Sequence, residues 1–575
     1  MNGVACVLLL VALLGGCGGG AAPLPLRVLT LRVVSGPTKE TATVPIAGGE
    51  WVEVAGGGAD LFLDGVAHPF ERLAEGRLRF RAPPVPLESA VRVRSGEGEA
   101  ELLFTQEFSL DPAPDALTAE QARHLLQRTG FGASPARIDR AVVDGLSRTV
   151  TDLLDAPRDA EAEEGALAVY GGELPPAAHL GPRVNQEWWL ALMVHSRHPF
   201  RERLALALHD HFATSERNFQ EQARWFVHGH VELLRSFADA YDWRELVVGM
   251  AKDRAMLEWL DGRHSTREAP NENFARELFE LFLLGEGNGY TEEDVREASR
   301  ALTGFFVYGT RGQGDPDGHW EVRYQPRRHD AGEKRIFGVP GHFGYDDIAP
   351  FYESRLGEPD AIFGQTDPSV RSDPRDGDGG IVALTLRERP HEAALHLARR
   401  LCEEFLYPEP GEEMLGSIAQ GILDAEWGVR PALERLLGSK AFFSRRARLS
   451  RAGGPIEYAV GFLRSTGLDR GAVIPALRHH LEAMGQVPLD PPDVAGWPSG
   501  TAWFSAQSAI ERVRFVGRAV ATFGDPWPVT EPDELAWAAR LLGIDLEQDL
   551  ASSTSALCHA YAPHHPRSPP PRPPR

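Results

Sequence analysis

The segment from Pro270 to Phe305, PNENFARELFELFLLGEGNGYTEEDVREASRALTGF, decides the fold that this sequence predicts. Its first half places Phe274, Leu278 and Leu281 at positions i, i+4 and i+7, which form one apolar stripe of a helix. The alternating glycines of the GEGNG turn end this helix, because glycine takes a positive φ without steric cost. The segment therefore predicts the first half of a helical hairpin.

The second helix of this hairpin begins with a capping box. Thr291 is followed three residues later by Asp294, in place of the usual Glu. Val295, Ala298 and Leu302 then form a second apolar stripe. We expect the hairpin to be a hub against which the other helices pack.

Composition excludes several classes of protein. A chain of 575 residues is too long for a single small core and predicts two or three domains. A net charge of −22 argues against a nucleic-acid partner, since phosphate binding needs a basic face. Four cysteines cannot form a disulfide framework in a chain of this length.

The N-terminal segment resembles a bacterial lipoprotein signal. An apolar run over Val7–Leu14, too short to span a bilayer, is followed by two glycines and Cys17. Such a signal is cut before the cysteine, whose thiol and new amine then carry lipid. The absence of Lys and Arg before the apolar run departs from the pattern, so an ordinary cleaved signal remains a second interpretation. We expect an exported protein, either extracellular or held by lipid at Cys17 as an outer-membrane or periplasmic lipoprotein.

Periodicity and composition predict a multidomain protein: a small all-β sandwich followed by a large, mostly all-α domain with a long irregular loop region. Residues 1–23 are the signal and tether, and 24–111 alternate like a β-sandwich that resembles bacterial immunoglobulin-like modules. Residues 115–530 have helical periodicity, interrupted by the irregular region 305–387. Residues 531–575 are an extension with a proline-rich tail that predicts disorder. Helices are predicted at 134–156, 185–213, 217–239, 242–260, 271–284, 291–303, 388–406, 412–424, 429–439, 455–466, 471–484 and 505–522.

Six motifs in sequence order carry a resemblance to a known family. They are HLLQRTGFGA (124–133), LHDHFATS (208–215), AMLEWLDG (255–262), the hairpin segment itself, HDAGEKRIFG (329–338) and PPDVAGWPSGTAW (491–503). Over residues 115–520 the chain resembles the domain-of-unknown-function 1800 family. The resemblance implies an exported, mostly helical bacterial protein without an assigned reaction. It also implies a protein partner from the sulfatase- or phosphatase-like family numbered 1501, whose genes often lie beside those of this family.

The LHDH motif contains a candidate metal ligand. Residues two apart on a helix point about 200° apart, so His209 and His211 cannot both reach one ion. Leu204, Leu208 and His211 share a stripe, which turns His211 inward and leaves His209 outside it. His230 is placed to meet His211 across a helix pair. His211 is therefore either a buried histidine with a backbone partner or a metal ligand.

A second candidate group comes from the loop motif HDAGEK. His329 and Asp330, with Lys334 four residues on, suit a divalent metal or a general base. With His211 and Glu277 of the central hairpin they would supply nitrogen and carboxylate ligands to one metal ion. In the alternative interpretation Asp330 caps the turn that follows it, Lys334 pairs with a carboxylate, and the polar residues near Glu277 join helices.

Two further segments suggest ligand sites. Asp373, Asp376 and Asp378 precede two glycines and resemble part of a calcium loop, although the glutamate that would end it is missing. A solvated acidic loop is the alternative. Trp497 and Trp503 lie on a proline-rich loop, where they either stack on a flat ligand or cover a core.

Two functions follow from these patterns. The first is an envelope protein that binds or assembles with a protein or polymer partner. The second is a metal-dependent hydrolase in which a bound water is the nucleophile, with His211, Glu277, His329 and Asp330 around the ion. No spacing in the sequence is diagnostic of a reaction, so the first is preferred.

Overall fold

A computed structural model describes the protein in separate segments. They are residues 27–30, 32–33, 51–55, 60–63, 66–72, 78–81, 90–95, 98–103, 110–168, 182–219, 225–309, 320–346, 380–408, 410–444, 447–448, 451, 453–467 and 474–523. The predicted lipidation site Cys17 and the predicted proline-rich tail lie outside these residues. So does the predicted calcium loop with Asp373, Asp376 and Asp378.

Helices dominate from residue 119 onward, as the periodicity predicts. The α-helices in the described segments are α1 (Ala119–Gly130), α2 (Pro135–Asp144), α3 (Leu146–Asp155), α4 (Ala160–Leu167), α5 (Pro182–His195), α6 (Pro199–His211), α7 (Trp225–Ala240), α8 (Trp243–Ala251), α9 (Arg254–Trp259), α10 (Glu272–Glu277), α11 (Glu292–Ala301), α12 (Ile381–Glu388), α13 (Pro390–Phe405), α14 (Glu412–Asp424), α15 (Arg430–Leu437), α16 (Pro455–Thr466), α17 (Ile474–Met484) and α18 (Ala506–Phe523). None of them is long and apolar enough to cross a membrane.

One continuous core joins these helices, and α6 runs through it. The cluster of buried apolar side chains extends from Leu117 to Ala519. Helix α6 packs against α1, α5 and α7 and is buried along nearly its whole length. Its buried charges need partners: Glu202 accepts from Arg235 Nε at 3.0 Å, and Arg201 donates to the Ala156 carbonyl at 2.8 Å. Helix α6 is therefore a central element of this core, and the role of the hairpin as a hub stays a prediction.

The predicted hairpin is present, with one difference in its first helix. The capping box is confirmed: Thr291 N donates to Asp294 Oδ2 at 2.9 Å, and Asp294 N donates to Thr291 Oγ1 at 3.2 Å. The first helix, however, changes from α10 into a π-helix over Leu278–Leu283. Leu284 N accordingly donates to Phe279 O, five residues back, at 2.8 Å.

Three other predicted helices are each two helices in the structure. The predicted helix 134–156 breaks at Gly145, whose φ is 79°. The predicted helix 185–213 breaks before Pro199, which has no N–H to continue the ladder. The predicted helix 242–260 breaks at Asp253, whose side chain caps α9 by accepting from Met256 N at 2.9 Å. Hydrophobic periodicity alone does not show where a helix is interrupted by such local breaks.

Strands occur in two parts of the chain. Between residues 27 and 103 they form a four-stranded sheet of order β1-β3-β7-β6 and a five-stranded sheet of order β2-β9-β8-β4-β5. These strands are β1 (Arg27–Thr30), β2 (Arg32–Val33), β3 (Trp51–Ala55), β4 (Phe62–Leu63), β5 (Val66–Ala67), β6 (Glu71–Arg72), β7 (Leu78–Arg81), β8 (Ala90–Ser95) and β9 (Gly98–Leu103). That they form an immunoglobulin-like sandwich stays a prediction.

The region 305–387, predicted to be irregular, contains regular structure where it is described. Two antiparallel pairs, β10 (Phe305–Gly309) with β11 (Trp320–Tyr324) and β12 (Lys334–Ile336) with β13 (Val339–Gly341), follow α11. Helix α12 then begins within the same region. The predicted irregular region therefore includes these short regular elements, and strands of this length carry little periodicity in the sequence.

Candidate functional site

Two of the sequence motifs, nearly 290 residues apart, meet at the C-terminal end of α6. Asp210 Oδ1 accepts a hydrogen bond from Trp497 N at 2.7 Å. Close by, Ser215 Oγ donates to Asp490 Oδ1 at 2.9 Å, and Glu216 N donates to Leu489 O at 3.1 Å. Hydrogen bonds therefore hold the loop 489–503 against the end of α6 and the segment that follows it.

A glycine makes this close approach feasible. Gly496 has a φ of 92°, and a Cβ added there would lie 2.5 Å from both the carbonyl oxygen and Oδ1 of Asp210. Any larger residue would both strain the backbone and push the loop from α6. The turn before it is held by Asp493, whose Oδ1 accepts from Ala495 N at 2.9 Å.

A cleft of about 350 Å³ opens between α6, α13 and this loop. Its lining combines apolar, aromatic and charged side chains, an ordinary composition for a ligand site. Charged or aromatic lining residues are Arg203, Asp210, His211, Trp243, Arg400, Glu403, Glu404, Phe405, Arg451, Glu457, Trp497 and Trp503. A larger cleft of about 700 Å³ lies beside α2, and two of its lining residues, Arg140 and Asp144, form an ion pair at 3.2 Å.

Two arginines and two glutamates form a closed ion network in the lining of the cleft. Arg203 lies 2.6 Å from Glu457, while Arg451 lies 2.8 Å from Glu457 and 3.1 Å from Glu404. Burial alone would raise the pKa of Glu404, but the adjacent Arg203 and Arg451 lower it to about 2. The opposite charges of these groups balance one another, so the network shapes the wall of the cleft.

Asp210 and Arg400 are less fully paired. Burial raises the pKa of Asp210 to about 6, opposed by the hydrogen bond from Trp497 N and by the charge of Arg400. Arg400 lies 3.6 Å from Asp210 Oδ2 and 3.9 Å from Glu403, beyond hydrogen-bond distance. Arg400 is also 37 % exposed, so its N–H donors face the cleft without a close protein acceptor among the described residues.

His211 has a structural partner, as the first of its two interpretations predicts. Its Nε2 lies 3.1 Å from the carbonyl oxygen of Phe282, and His396 Nε2 lies 2.9 Å from the carbonyl oxygen of Leu281. Both carbonyls belong to the π-helix, whose last turn leaves carbonyl oxygens without a helical N–H. Burial lowers the pKa of His211 well below its usual value, which keeps the ring neutral.

The other predicted metal ligands are engaged elsewhere. His329 Nδ1 lies 3.0 Å from Thr303 O. Asp330 accepts from Arg300 Nε at 2.7 Å and caps its turn by accepting from Gly332 N at 2.9 Å. Burial raises the pKa of Asp330, but the hydrogen bonds from Arg300 and Gly332, together with the charges of Arg300 and Lys334, lower it below its usual value.

Lys334 and Glu277 differ from their predicted roles. Lys334 is buried and donates to the carbonyl oxygens of Asp330, at 2.5 Å, and Gly332, at 3.1 Å. Glu277 ends α10, and burial and the nearby Glu280 raise its pKa.

The predicted metal centre is not assembled from these residues. In the part of the chain that the structure describes, no three His, Cys, Asp or Glu side chains are grouped to hold an ion. Each of three predicted ligands has another partner instead: backbone carbonyls accept from one nitrogen of His211 and one of His329, and Arg300 pairs with the carboxylate of Asp330.

The two predicted stacking tryptophans line the cleft but are largely buried. Trp497 is 8 % exposed and Trp503 is 6 % exposed, which leaves little ring surface for a ligand. The ring of Trp497 instead packs edge-on against His209, with centroids 5.3 Å apart. The interpretation of these residues as a cover over the core fits better than the stacking one.

His209 was misplaced by the sequence analysis. It is fully buried, and its ring lies 5.5 Å from that of His230, so His230 meets His209 rather than packing on His211. The apolar stripe gave a wrong position for His209 because α6 is enclosed on all sides, so residues outside the stripe are buried as well. Asp210 and Arg400 were also missed, although Asp210 lies within a quoted motif.

Residues 124–569 match a family model described as a protein of unknown function (DUF1800). The chain belongs to this family. The match includes α6, α13 and the loop 489–503, so the cleft lies within the family's own domain. No curated protein and no solved structure matches the chain.

Proposed function

We propose that this DUF1800 protein is an exported binding protein of the bacterial cell envelope that holds an acidic polymer in the cleft beside α6. Its helical domain supplies the cleft, and lipid at Cys17 holds it at the membrane surface. Under this proposal the β-rich segment 24–111 is an immunoglobulin-like spacer between the two.

The observation that carries the proposal is the position of Arg400. A guanidinium that lines a cleft and has no acceptor within hydrogen-bond distance among the described residues suits a ligand carboxylate, which it binds in a bidentate manner. Beside it, Arg203 and Arg451 are in closer ion pairs with Glu404 and Glu457, whereas the two carboxylates nearest to Arg400 lie 3.6 Å and 3.9 Å away. The ligand class is therefore an acidic chain, such as a polyuronic acid.

The proposal also names partners. The membrane partner is reached through Cys17, and a protein partner of the 1501 family would act on the polymer that this protein holds. A nucleic acid is not expected, given the net charge of −22. The alternative function, a metal-dependent hydrolase at His211, Glu277, His329 and Asp330, has less support, because among the described residues no three His, Cys, Asp or Glu side chains are grouped to hold an ion.

Titration of the full-length protein with a tri-uronic acid tests the proposal, with tryptophan fluorescence and calorimetry as readouts. We expect binding of the acidic trisaccharide and none of a neutral trisaccharide of the same length. Arg400→Gln should weaken binding about 10-fold or more, which corresponds to about 1.4 kcal/mol.

Arg399→Gln is the matched control, since this neighbour on α13 does not line the cleft and lies 3.8 Å from Glu412. It should bind like the wild type. Equal binding by the wild type and Arg400→Gln, or equal binding of the neutral sugar, would overturn the proposal.

A further inference from the structure

Behind the cleft lies a pair of buried histidines with unused nitrogens. His209 and His230 are both fully buried, and their ring centroids are 5.5 Å apart at an interplanar angle of 73°. Neither ring nitrogen of His209 has a hydrogen-bond partner among the described residues, and neither does Nε2 of His230. Leaving buried polar atoms without a partner is unfavourable, so the unpartnered nitrogens on these two adjacent rings indicate a missing ligand.

Asp253 orients one of the two rings. Its Oδ1 lies 2.8 Å from His230 Nδ1, and both side chains are buried. Since the carboxylate accepts, the proton of a neutral His230 ring is on Nδ1 and the lone pair is on Nε2. This is the arrangement in which a carboxylate fixes the tautomer of a metal-binding histidine.

We propose that His209 and His230 together bind a single copper(I) ion, each through one ring nitrogen. The closed-shell ion accepts two nitrogen donors in a line, and imidazole is a donor that copper favours. The negative charge of Asp253 balances the single positive charge of the ion, which a buried site requires. Structural zinc needs four ligands, and these side chains offer two.

The surroundings of the pair suit such an ion. In its neutral form the ring of His209 carries one proton, which leaves the lone pair of the other ring nitrogen for the ion. Trp189 and Trp497 pack edge-on around His209, at 5.6 Å and 5.3 Å between ring centroids, and keep the site dry. Trp497 also lines the cleft, so a shift of the loop 489–503 would give the ion a way in.

Anaerobic loading of the full-length protein with copper(I), in competition with a colorimetric chelator, tests this inference. We expect one tightly held ion per chain and an X-ray absorption spectrum with two nitrogen neighbours. His209→Ala and His230→Ala should each lose the ion. Asp253→Asn, which keeps the cap of α9, should weaken copper binding about 10-fold or more.

His396→Ala is the control, because its ring bonds the carbonyl oxygen of Leu281 instead, and it should retain copper. Circular dichroism checks that each variant is folded, and the wild-type spectrum gives a result that does not depend on any variant. Sulfur neighbours in that spectrum, which would point to a cysteine, or no retained copper in the wild type, would overturn the inference. The copper measurement uses no sugar and the sugar titration adds no copper, so the two proposals fail independently.

Discussion

At the scale of single residues, Asp210 links stability to pH. Its pKa of about 6 in the folded protein exceeds the unfolded value of about 3.9, because burial disfavours the charged form. The folded state therefore binds more protons between these values, and its stability falls as the pH rises through 6. Asp210→Asn removes this cost and keeps an oxygen for Trp497 N. We expect the variant to be more stable than the wild type by about 1 kcal/mol at pH 7 and equal to it at pH 4, measured by urea unfolding.

The pKa of Asp159 is shifted in the direction opposite to that of Asp210, so its effect on stability has the opposite sign. Hydrogen bonds from Arg197 hold the pKa of Asp159 far below its usual value, so this group stabilises the fold above pH 4 and loses that effect as the pH falls. Asp159→Asn should therefore be destabilised at pH 7 by about 1 kcal/mol, with a smaller difference in acid. If both variants shift stability in the same direction at pH 7, the assigned causes are wrong.

At the scale of elements, Asp294 joins α11 to the turn between strands β12 and β13. Its Oδ2 accepts from Thr291 N at 2.9 Å, and its Oδ1 accepts from Phe337 N at 2.5 Å. Asp294→Ala removes a helix cap and also leaves a backbone N–H unpaired, so we expect a loss of about 2–3 kcal/mol in urea unfolding. Thr291→Ala should cost about 1 kcal/mol. Glu293→Ala in the same turn should change stability by less than about 0.5 kcal/mol, since Glu293 is exposed and contacts Arg296. Equal losses at positions 293 and 294 would contradict the double role of Asp294.

Sequence patterns predicted this capping box because both partners lie within one turn of helix. They did not predict the π-helix at Leu278–Leu283, because its stability comes from distant residues. His211 and His396, on α6 and α13, donate to the carbonyl oxygens of Phe282 and Leu281. Local propensity is a weak guide wherever such tertiary contacts decide the backbone.

At the scale of the whole molecule, the cleft forms through contacts between residues that are far apart in the sequence, and no local sequence pattern predicts such contacts. The motifs LHDHFATS and PPDVAGWPSGTAW were visible as separate segments, but the pairing of Asp210 with Trp497 spans 287 residues. The predicted convergence of His211 with His329 failed for the same reason. The packing of the helices decides which motifs come into contact. Local patterns in a single sequence do not show how the helices pack.

Attachment of the whole molecule to the membrane is the remaining part of the proposed function, and it depends on one thiol. If Cys17 is lipidated, the full-length chain expressed in a bacterium should incorporate labelled palmitate and sediment with membranes. Cys17→Ser should lose the label and leave the membrane fraction, because a single hydroxyl cannot take the place of the thiol in the lipid transfer. Cys6→Ser alters the other cysteine of the same N-terminal segment and should leave labelling unchanged. Labelled Cys17→Ser protein, or unlabelled wild type, would show that lipid at Cys17 is not the anchor.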